Sequence, residues 1–475
     1  MYLKKIRLRN IKCFGELEID FSKDDGVRLW TTLFGKNGRG KSTLLQAIGT
    51  VLAGPSAVRE LLPVAEGWAR KGADYGEIEA EILWTDGDAT GSGKKRKNKP
   101  FEMRYLVGGS DSSKLPDSLE EKPSVAELVP WSGGATAKKK EALTKDRKLL
   151  QQTAFAEGQT GWLACGYGPF RRLSGGSETS NSIVSAERRA ARFVTLFKED
   201  AALTNATKWL TDLHNTARDG DRANERILET VKKAIAEKLF PEPAELVVNA
   251  KSALLRRNGS TQILFQDLSD GYRSMLALSI DLLRWLVKAF PEHPDPLQCP
   301  GVVLIDELDT HLHPSWQRTI GHWLREKFPK IQFIIATHSP FIAQVADAEP
   351  EDESGAGEAA SDAGNICLVD SPSGVRAEPS SESARLLSPE QILQSELFEM
   401  EEVLAPPVEE KRKQFEELHR KLRREALSTD EQQRYDQLSL ELDKLPLAAD
   451  AEGRAMEREL REKVERHRDT IGNLQ

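Results

Sequence analysis

Residues 34–43 read FGKNGRGKST, and this stretch fits the pattern G-x-x-x-x-G-K-[ST] in full. Glycines in such a loop let backbone N–H groups curl around phosphates, and the helix N-terminus behind the loop adds partial positive charge. An apolar run precedes the loop at residues 28–34, and residues 41–52 after it have a helical pattern that Ala53-Gly54-Pro55 ends. This order of strand, loop and helix predicts a nucleotide phosphate-binding loop.

The spacing within this loop assigns a role to its two polar ends. Lys41 is expected to reach the β- and γ-phosphates, and the hydroxyl of Ser42 is expected to bind Mg²⁺. The predicted nucleotide-binding set from this loop is Gly35, Asn37, Gly38, Gly40, Lys41, Ser42 and Thr43.

A second motif, VVLIDE at residues 302–307, is an apolar strand that ends in two carboxylates. Asp306 is predicted to hold Mg²⁺, directly or through water. Glu307 is predicted to orient and deprotonate the attacking water, which requires hydrogen-bond reach to that water. The alternative is an ordinary strand end with exposed acids.

Two weaker motifs complete the set. LSDGYRS, at residues 268–274, opens an apolar helix, so Ser269 and Gly271 can present a hydroxyl and N–H groups to an anion, although they would also make a good helix cap. THSP, at residues 337–340, follows the strand IQFIIA, and His338 could there sense a γ-phosphate or simply cap the strand end.

The ordered set GKNGRGKST, LSDGYRS, VVLIDELDTHLHP and IIATHSP resembles the motifs of the ABC-type ATPases. It is most similar to their SMC/RecF-like and OLD-like bacterial branch, whose first hairpin the opening LKKIRLRNIKCFGELEIDF also resembles. The resemblance covers about residues 1–84 and 260–345. It implies an α/β fold: an ABC-type P-loop ATPase head with a mixed or parallel sheet flanked by helices.

The resemblance also implies roles for individual residues and two cofactors, ATP and Mg²⁺. Ser269 and Gly271 would complete the nucleotide site of a second subunit, so that a homodimer sandwiches two ATP molecules. Glu307 would be the hydrolytic base and His338 the switch histidine. Residues 308–309 would form a loop that faces the partner subunit.

Several details depart from the family pattern or stay open. The common LSGGQ reads LSDGY here, and the literal LSGG at residues 173–176 is interpreted as a decoy because no amphipathic helix follows it. GYGPFRR, at residues 166–172, resembles a family segment, from which Arg171 or Arg172 is expected to approach nucleotide or partner. His311 and His313 allow a metal site, but no further His or Cys lies near them in sequence.

Composition excludes several protein classes. The chain has 475 residues, 39% hydrophobic and 30% charged, and its net charge of −8 means that nucleic-acid binding would need a local basic patch. Four widely spaced cysteines argue against a disulfide framework or a cysteine zinc site. The sequence shows no apolar run of about 18 residues and no apolar segment after MYLKKIRLRN, so we expect a cytoplasmic protein without membrane contact.

Composition and periodicity also predict how the chain is divided. Residues 86–140 are polar and rich in Gly, Ser and Pro, which indicates loop or disorder, and the end of the chain is charged with short helical stripes. The predicted segments are the N-terminal part of the head (1–85), a flexible insertion (86–150), a helical lobe (151–255), the C-terminal part of the head (256–348), an acidic linker (349–364), a final strand and connection (365–398) and a helical tail for partner docking or oligomerisation (399–475).

Three functions are compatible with these features. The span between the phosphate loop and LSDGYRS is too short for SMC arms, and no D-x-D pair follows His338, so no nuclease activity is expected from this chain. The favoured hypothesis is the ATPase subunit of a bacterial anti-phage system, resembling those of Septu-type and retron-linked modules, with a separately encoded nuclease as partner. The alternatives are a DNA-repair or DNA-clamping ATPase, with DNA as partner, and the ATP-binding subunit of a transporter.

Overall fold

The computed structural model describes fourteen stretches of the chain, which fall into two compact units, Met1–Arg385 and Leu386–Gln475. The described residues are 1–23, 26–85, 88, 100–109, 128–130, 136–171, 177–203, 206–240, 242, 244–257, 261–346, 364–381, 383–400 and 405–442. Outside them lie Arg172, the LSGG string at 173–176, the basic run at 94–99 and nearly all of the acidic linker predicted at 349–364.

The strands of the described residues all belong to the first unit. They are β1 (Tyr2–Ile11), β2 (Phe14–Asp20), β3 (Ser22–Lys23), β4 (Gly26–Val27), β5 (Trp30–Phe34), β6 (Tyr75–Leu83), β7 (Phe101–Gly108), β8 (Leu128–Pro130), β9 (Ala164–Tyr167), β10 (Ala244–Val248), β11 (Ala253–Arg257), β12 (Thr261–Leu264), β13 (Gly301–Ile305), β14 (Ile331–Ala336), β15 (Asn365–Val369) and β16 (Arg376–Pro379).

The described α-helices of the first unit precede three helices of the second. They are α1 (Lys41–Ala53), α2 (Pro55–Leu61), α3 (Ala137–Gln152), α4 (Glu178–Ser185), α5 (Val194–Phe197), α6 (Ala206–Arg218), α7 (Arg222–Ala236), α8 (Asp270–Ala289), α9 (Pro314–Lys327) and α10 (Pro340–Ala343), followed by α11 (Pro389–Gln394), α12 (Pro406–Leu422) and α13 (Thr429–Leu442).

A six-stranded sheet forms the centre of the first unit, in the order β16-β15-β5-β14-β13-β9. All neighbouring pairs are parallel except the edge pair β15–β16. Every residue of β5, β13 and β14 is buried, as expected for apolar strands covered on both faces. The predicted α/β class with a mostly parallel sheet is confirmed, and the carboxyl ends of β5, β14, β13 and β9 meet at one edge, where open α/β sheets bind ligands.

A second, antiparallel sheet in the order β2-β1-β6-β7-β8 supports the phosphate loop from the side. The turn between β1 and β2 lies against the loop: a Cβ on Gly40 would overlap Cys13 Sγ and lie 2.7 Å from Phe14 Cζ. Arg70 donates to Cys13 O at 3.2 Å and thereby fastens the same turn. The first hairpin is therefore in contact with the nucleotide motif.

The C-terminal end of α1 is closed by an arginine from a distant part of the chain. Arg189 donates to Leu52 O at 2.7 Å and to Ala53 O at 2.9 Å, which are carbonyls that the helix itself cannot satisfy. Burial lowers the pKa of Arg189 to about 9, and the charge of nearby Arg192 acts in the same direction. The helix that carries Lys41 is thus anchored at its far end.

Two predicted segments need correction. Residues 86–150 are not one flexible insertion, because β7 pairs with β6 and α3 follows as a regular helix. Phe101, Met103 and Tyr105 are the buried positions of an alternating pattern in β7, but this short apolar pattern lies between polar stretches of sequence. The sequence of α3 is so polar that it does not predict burial of any of its residues. Residues 151–255 are not purely helical either, since β9 is a strand of the central sheet and β10–β11 form antiparallel sheet.

The second unit contains a helical hairpin of α12 and α13. Phe415 and Tyr435 stack across the two helices with ring centroids 4.8 Å apart, and the His419 ring also stacks on Tyr435. Ser428 and Glu431 form a capping box, with reciprocal hydrogen bonds of 3.3 Å and 2.9 Å. Residues 443–475 of the predicted helical tail lie outside the described residues.

None of the described helices has both the length and the apolar character that a bilayer-crossing helix requires.

Two alanine substitutions in the phosphate loop test the contact with the first hairpin. Gly38 and Gly40 both have φ +84°, but a Cβ on Gly38 would meet nothing within 4 Å. We expect Gly38→Ala to show only backbone strain, and Gly40→Ala to lose a further 1–3 kcal/mol or so of unfolding free energy, because its methyl group collides with Cys13 and Phe14. Urea unfolding of both variants measures the difference; equal losses would contradict the proposed packing.

Candidate functional site

The phosphate loop connects β5 to α1 and has the backbone shape that its sequence predicts. Gly35 lies at the end of β5, where a Cβ would come within 2.9 Å of Leu368 O, and Gly40 occupies the left-handed N-cap of α1. Asn37 and Gly38 are exposed in the turn between them, and Thr43 lies in the first turn of α1.

Lys41 is folded back over this loop. Its ammonium donates to Gly35 O at 2.6 Å and to Lys36 O at 3.4 Å, and only 7% of the residue is exposed. Burial lowers the pKa of Lys41, and the charges of Asp306 and Glu307 partly oppose that effect. The Lys41 ammonium is thus a buried cation held at the phosphate loop by two of the loop's own carbonyls.

Asp306 follows β13 and meets the phosphate loop directly. Burial is the main cause of a raised Asp306 pKa, and the nearby Ser42 side chain acts in the opposite direction. One carboxylate oxygen, Oδ1, is buried and has no hydrogen-bond partner among the described residues. A desolvated carboxylate with an unsatisfied oxygen beside a serine hydroxyl is the donor set that Mg²⁺ prefers, so these residues fit the ion.

Glu307, the predicted base, is the next residue after Asp306. Its backbone has φ +47°, a left-handed conformation that is uncommon for a residue with a Cβ. Its carboxylate accepts a hydrogen bond from Thr310 Oγ1 at 2.8 Å. Strained backbone at a residue of this kind points to a functional constraint.

Asp309 ties the loop after β13 to the loop after β14. Its Oδ1 accepts hydrogen bonds from Thr337 Oγ1 and from the backbone N–H of His338, the latter at 3.2 Å. Burial lowers the pKa of the His338 imidazole, as does the positive charge of Lys41, so His338 lies within electrostatic reach of the phosphate loop. The structure therefore brings together Lys41, Ser42, Asp306, Glu307 and His338.

Ser269 and Gly271 lie in a different place. Ser269 is the N-cap residue of α8, but its side chain makes no capping hydrogen bond, so the alternative of a simple helix cap is not supported. Both residues line an open cavity with Tyr272, His311 and Trp316, and no residue of the phosphate loop lines it. The two halves of the predicted site are thus on separate surfaces of one chain.

Aromatic and charged side chains give this cavity its walls. Tyr272 packs edge-on against Trp316 with ring centroids 4.4 Å apart, and the Arg257 guanidinium lies 4.8 Å from the Tyr272 ring. His311 and His313 are exposed there, and among the described residues no three His, Cys, Asp or Glu side chains are grouped as a metal site would require.

The loop at residues 308–309, which the resemblance places opposite a partner subunit, is held by its own chain. Leu308 is fully buried, and Asp309 is hydrogen-bonded within the chain, so the approach of a partner to this loop stays a prediction. The exposed residues of this loop are His311 and His313. In the sequence, the two apolar residues Leu308 and Leu312 among polar neighbours could have indicated which side chains of this loop are buried.

The sequence predicts that Arg171 or Arg172 approaches nucleotide or partner. Arg172 lies outside the described residues. Arg171 is only 4% exposed, and its guanidinium donates to backbone carbonyls of the loop after β13, so its approach to nucleotide or partner stays a prediction. The paired arginines of GYGPFRR resemble a phosphate-binding cluster in sequence, and only the tertiary structure shows that the first of them points inward.

Two family models of AAA domains match parts of the chain. Residues 136–343 match AAA_21, described as "AAA domain, putative AbiEii toxin, Type IV TA system", and residues 5–154 match AAA_23, an AAA domain. Over these ranges the chain is similar to AAA ATPase domains, in line with the nucleotide-binding motifs in its sequence.

Similar proteins include a Septu protein, retron ATPases and a "DNA replication and repair protein RecF" of an Exiguobacterium strain, the last 35% identical over 22% of this chain and 28% of its own length. Septu protein PtuA of Bacillus mycoides (strain KBAB4) is 28% identical over 71% of this chain and 38% of its own length. The "Retron Vc95 probable ATPase" of Vibrio cholerae is 46% identical over 20% of this chain and 18% of its own length. The matches thus span well under half of these relatives.

Among the solved structures that align with this chain are heads of SMC proteins. An SMC head bound to the C-winged helix domain of ScpA aligns over 80% of this chain and 97% of its own, with 16% identity and a TM-score of 0.46. The SMC head domain from Thermotoga maritima gives 17% identity and a TM-score of 0.42.

Replacing Asp306 by Asn is expected to stabilise the nucleotide-free protein and to remove the added stability that Mg²⁺ and ATP give together. Because burial raises the pKa of Asp306, the folded state holds its proton more tightly than the unfolded chain, whose value is near 3.8. The wild-type unfolding free energy therefore falls as pH rises above that value, while the amide has no such dependence.

Thermal unfolding from about pH 4 to pH 8 measures this effect, with exposed Asp219→Asn as the control. The difference between Asp306→Asn and wild type should grow with pH to about 1 kcal/mol, the usual gain when a destabilised site residue is neutralised. A difference that shrinks as pH rises would contradict the assignment.

Proposed function

We propose that this chain is the ATP-binding and ATP-hydrolysing regulatory subunit of a bacterial anti-phage complex. Two copies sandwich two ATP molecules, and the dimer controls a separately encoded nuclease. The supporting observation is that Ser269 and Gly271 open onto a cavity that the chain's own phosphate loop does not line. A nucleotide on Lys41 can meet these residues only from a second copy.

Each residue has a defined task in this proposal. Lys41 and the N–H groups of the loop bind the phosphates, and Glu307 orients and deprotonates the attacking water. His338 lies beside the γ-phosphate position and reports its presence to Asp309. Ser42 and Asp306 would hold Mg²⁺, which would supply positive charge against the phosphates.

Glu307→Gln tests the hydrolytic part. We expect this variant to retain ATP and to form a nucleotide-dependent dimer, with hydrolysis slowed at least ~10²-fold because general-base catalysis contributes that much. Lys41→Ala is the matched control, because it should lose nucleotide affinity and stay monomeric. Phosphate release and light scattering after size exclusion measure both; wild-type turnover in Glu307→Gln would refute the base assignment.

Similarity to a Septu protein and to retron ATPases supports the anti-phage setting, and the separately encoded nuclease is part of the proposal. The hairpin α12–α13 offers a charged helical surface with two exposed leucines, Leu422 and Leu440. We infer that a partner docks on this hairpin.

A native pull-down tests the partner. Glu307→Gln is tagged in its own host, held in ATP and analysed by mass spectrometry, beside the same bait lacking residues 405–475. A stoichiometric nuclease captured only by the longer bait is the expected result. A nuclease captured equally by both baits would remove the docking role of the hairpin, and the absence of any nuclease would remove the regulatory role.

A DNA-clamping function is the second candidate, and α3 is the observation that favours it. Lys138, Lys145 and Lys148 are exposed on one side of this helix, although the whole chain is acidic. Such a patch suits a phosphate backbone, whose binding weakens steeply with salt.

Charge reversal at these three lysines tests this candidate. The matched control reverses Arg222, Arg226 and Lys233, which are exposed on α7, so that both variants change net charge equally. A DNA-clamping ATPase should bind duplex DNA and lose about tenfold in affinity or more only in the α3 variant. Equal effects in the two variants, or no DNA binding, would exclude this function.

A further inference from the structure

Arg171 is a buried cation that the nucleotide chemistry described so far does not use. It follows β9 and is 4% exposed, and burial lowers its pKa to about 10 although nearby Asp309 and Asp306 favour the charged form. A buried guanidinium is costly unless its donors are satisfied, so its contacts deserve a physical explanation.

Most of these contacts hold the backbone after β13. Nη1 donates to Asp306 O at 3.0 Å and to Gly168 O at 3.1 Å. Nη2 donates to Glu307 O at 3.0 Å and to Leu308 O at 3.3 Å. Arg171 therefore binds the carbonyls of three consecutive residues, including the residue proposed as the base.

The remaining contact reaches a different element. Nε donates at 3.1 Å to the hydroxyl of Ser274, which is buried in the first turns of α8. Ser269 and Gly271 lie at the N-terminal end of the same helix. One guanidinium thus connects the end of α8 that lines the open cavity with the loop that carries Glu307.

We propose that Arg171 is a positioning residue that couples these two half-sites. When the nucleotide of a second subunit engages Ser269 and Gly271, any displacement of α8 passes through Ser274 and Arg171 to the Glu307 backbone. ATP hydrolysis at the phosphate loop of one chain thereby depends on whether the second subunit's nucleotide is bound at the N-terminal end of that chain's α8. This inference rests on the proposed ATP-sandwich function.

The backbone of Glu307 explains why such a connection would be effective. Its φ of +47° is unfavourable for a residue with a Cβ, so the conformation persists only while neighbouring contacts hold it. The Arg171 hydrogen bond to Glu307 O is one of those contacts. A catalytic group displaced by about 1 Å can lose roughly 10²-fold in rate.

Arg171→Lys tests the positioning role, because an ammonium keeps the charge but cannot span both elements. We expect kcat to fall roughly 10- to 100-fold, with KM and nucleotide affinity within about threefold of wild type. Arg192→Lys is the matched control: Arg192 is a second arginine with a buried guanidinium, which donates to Trp162 O at 3.0 Å and lies 5.0 Å from the Trp285 ring, near the C-terminal end of α8 and not at Ser274. Its kcat should stay unchanged. Equal losses of kcat in both variants would reduce Arg171 to a general stabilising residue and overturn the proposal.

Ser274→Ala isolates the connection to α8, since it leaves the carbonyl contacts of Arg171 in place. We expect kcat to fall about tenfold, and the double variant to be no slower than Arg171→Lys alone, because both changes break one path. Losses that multiply in the double variant would show that Arg171 and Ser274 act independently, which would overturn the coupling.

Hydrogen exchange gives a measurement that does not need turnover. The amides of Leu308 and Thr310 are hydrogen-bonded to Ala336 O and Glu307 O in the loop that Arg171 holds. In nucleotide-free protein they should exchange faster in Arg171→Lys and in Ser274→Ala, but not in Arg192→Lys. Unchanged exchange in the first two variants would overturn the proposal. If wild type hydrolysed no ATP, the proposed function would fail while this measurement still decided whether Arg171 connects the two elements.

Discussion

The parallel alignment of four strands is the constraint on which the site depends. Because β5, β14, β13 and β9 run in one direction, the loops that leave them meet at a single edge of the sheet. Each loop brings one polar group there: the loop after β5 brings Lys41, that after β13 brings Asp306, that after β14 brings His338 and that after β9 brings Arg171. No two of these residues are close in sequence, and it is the sheet that brings them together in space.

Charged side chains hold the loops once the sheet has aligned them. Asp309 joins the loops after β13 and β14, and buried Arg171 joins the loops after β9 and β13 to helix α8. Asp306, in contrast, keeps one buried oxygen without a hydrogen-bond partner among the described residues. The loops are thus held by hydrogen bonds, while the carboxylate that would bind the metal ion remains partly unsatisfied, as is usual where activity and stability compete.

The sequence was most informative where chemistry and periodicity are local. FGKNGRGKST predicts both the loop and helix α1, because glycine spacing and the lysine position follow from the phosphate-binding backbone itself. VVLIDE and IQFIIA predict buried parallel strands because all their residues before the polar end, apart from Gln332, are apolar. These features require no knowledge of distant residues.

What the sequence did not predict depends on contacts between distant parts of the chain. ACGY, the core of β9, is four residues long and has no alternation, so its place beside β13 comes only from tertiary pairing. β7 is masked by polar neighbours on both sides, and the inward direction of Arg171 depends on carbonyls more than 130 residues away. Likewise, only the geometry of the α8 N-terminus shows that the Ser269 hydroxyl makes no capping hydrogen bond.

The position of β5 in the central sheet also has a consequence for how the protein is made. β5 is near the beginning of the chain, but its two neighbours are β14 and β15, which are synthesised about 300 residues later. A ribosome adds roughly 5–20 residues per second, so the strand that carries the phosphate loop waits many seconds for its pairing partners. Because long-range pairing of this kind is slow and leaves strand edges exposed, nascent chains would need protection from aggregation until residue 369 has emerged.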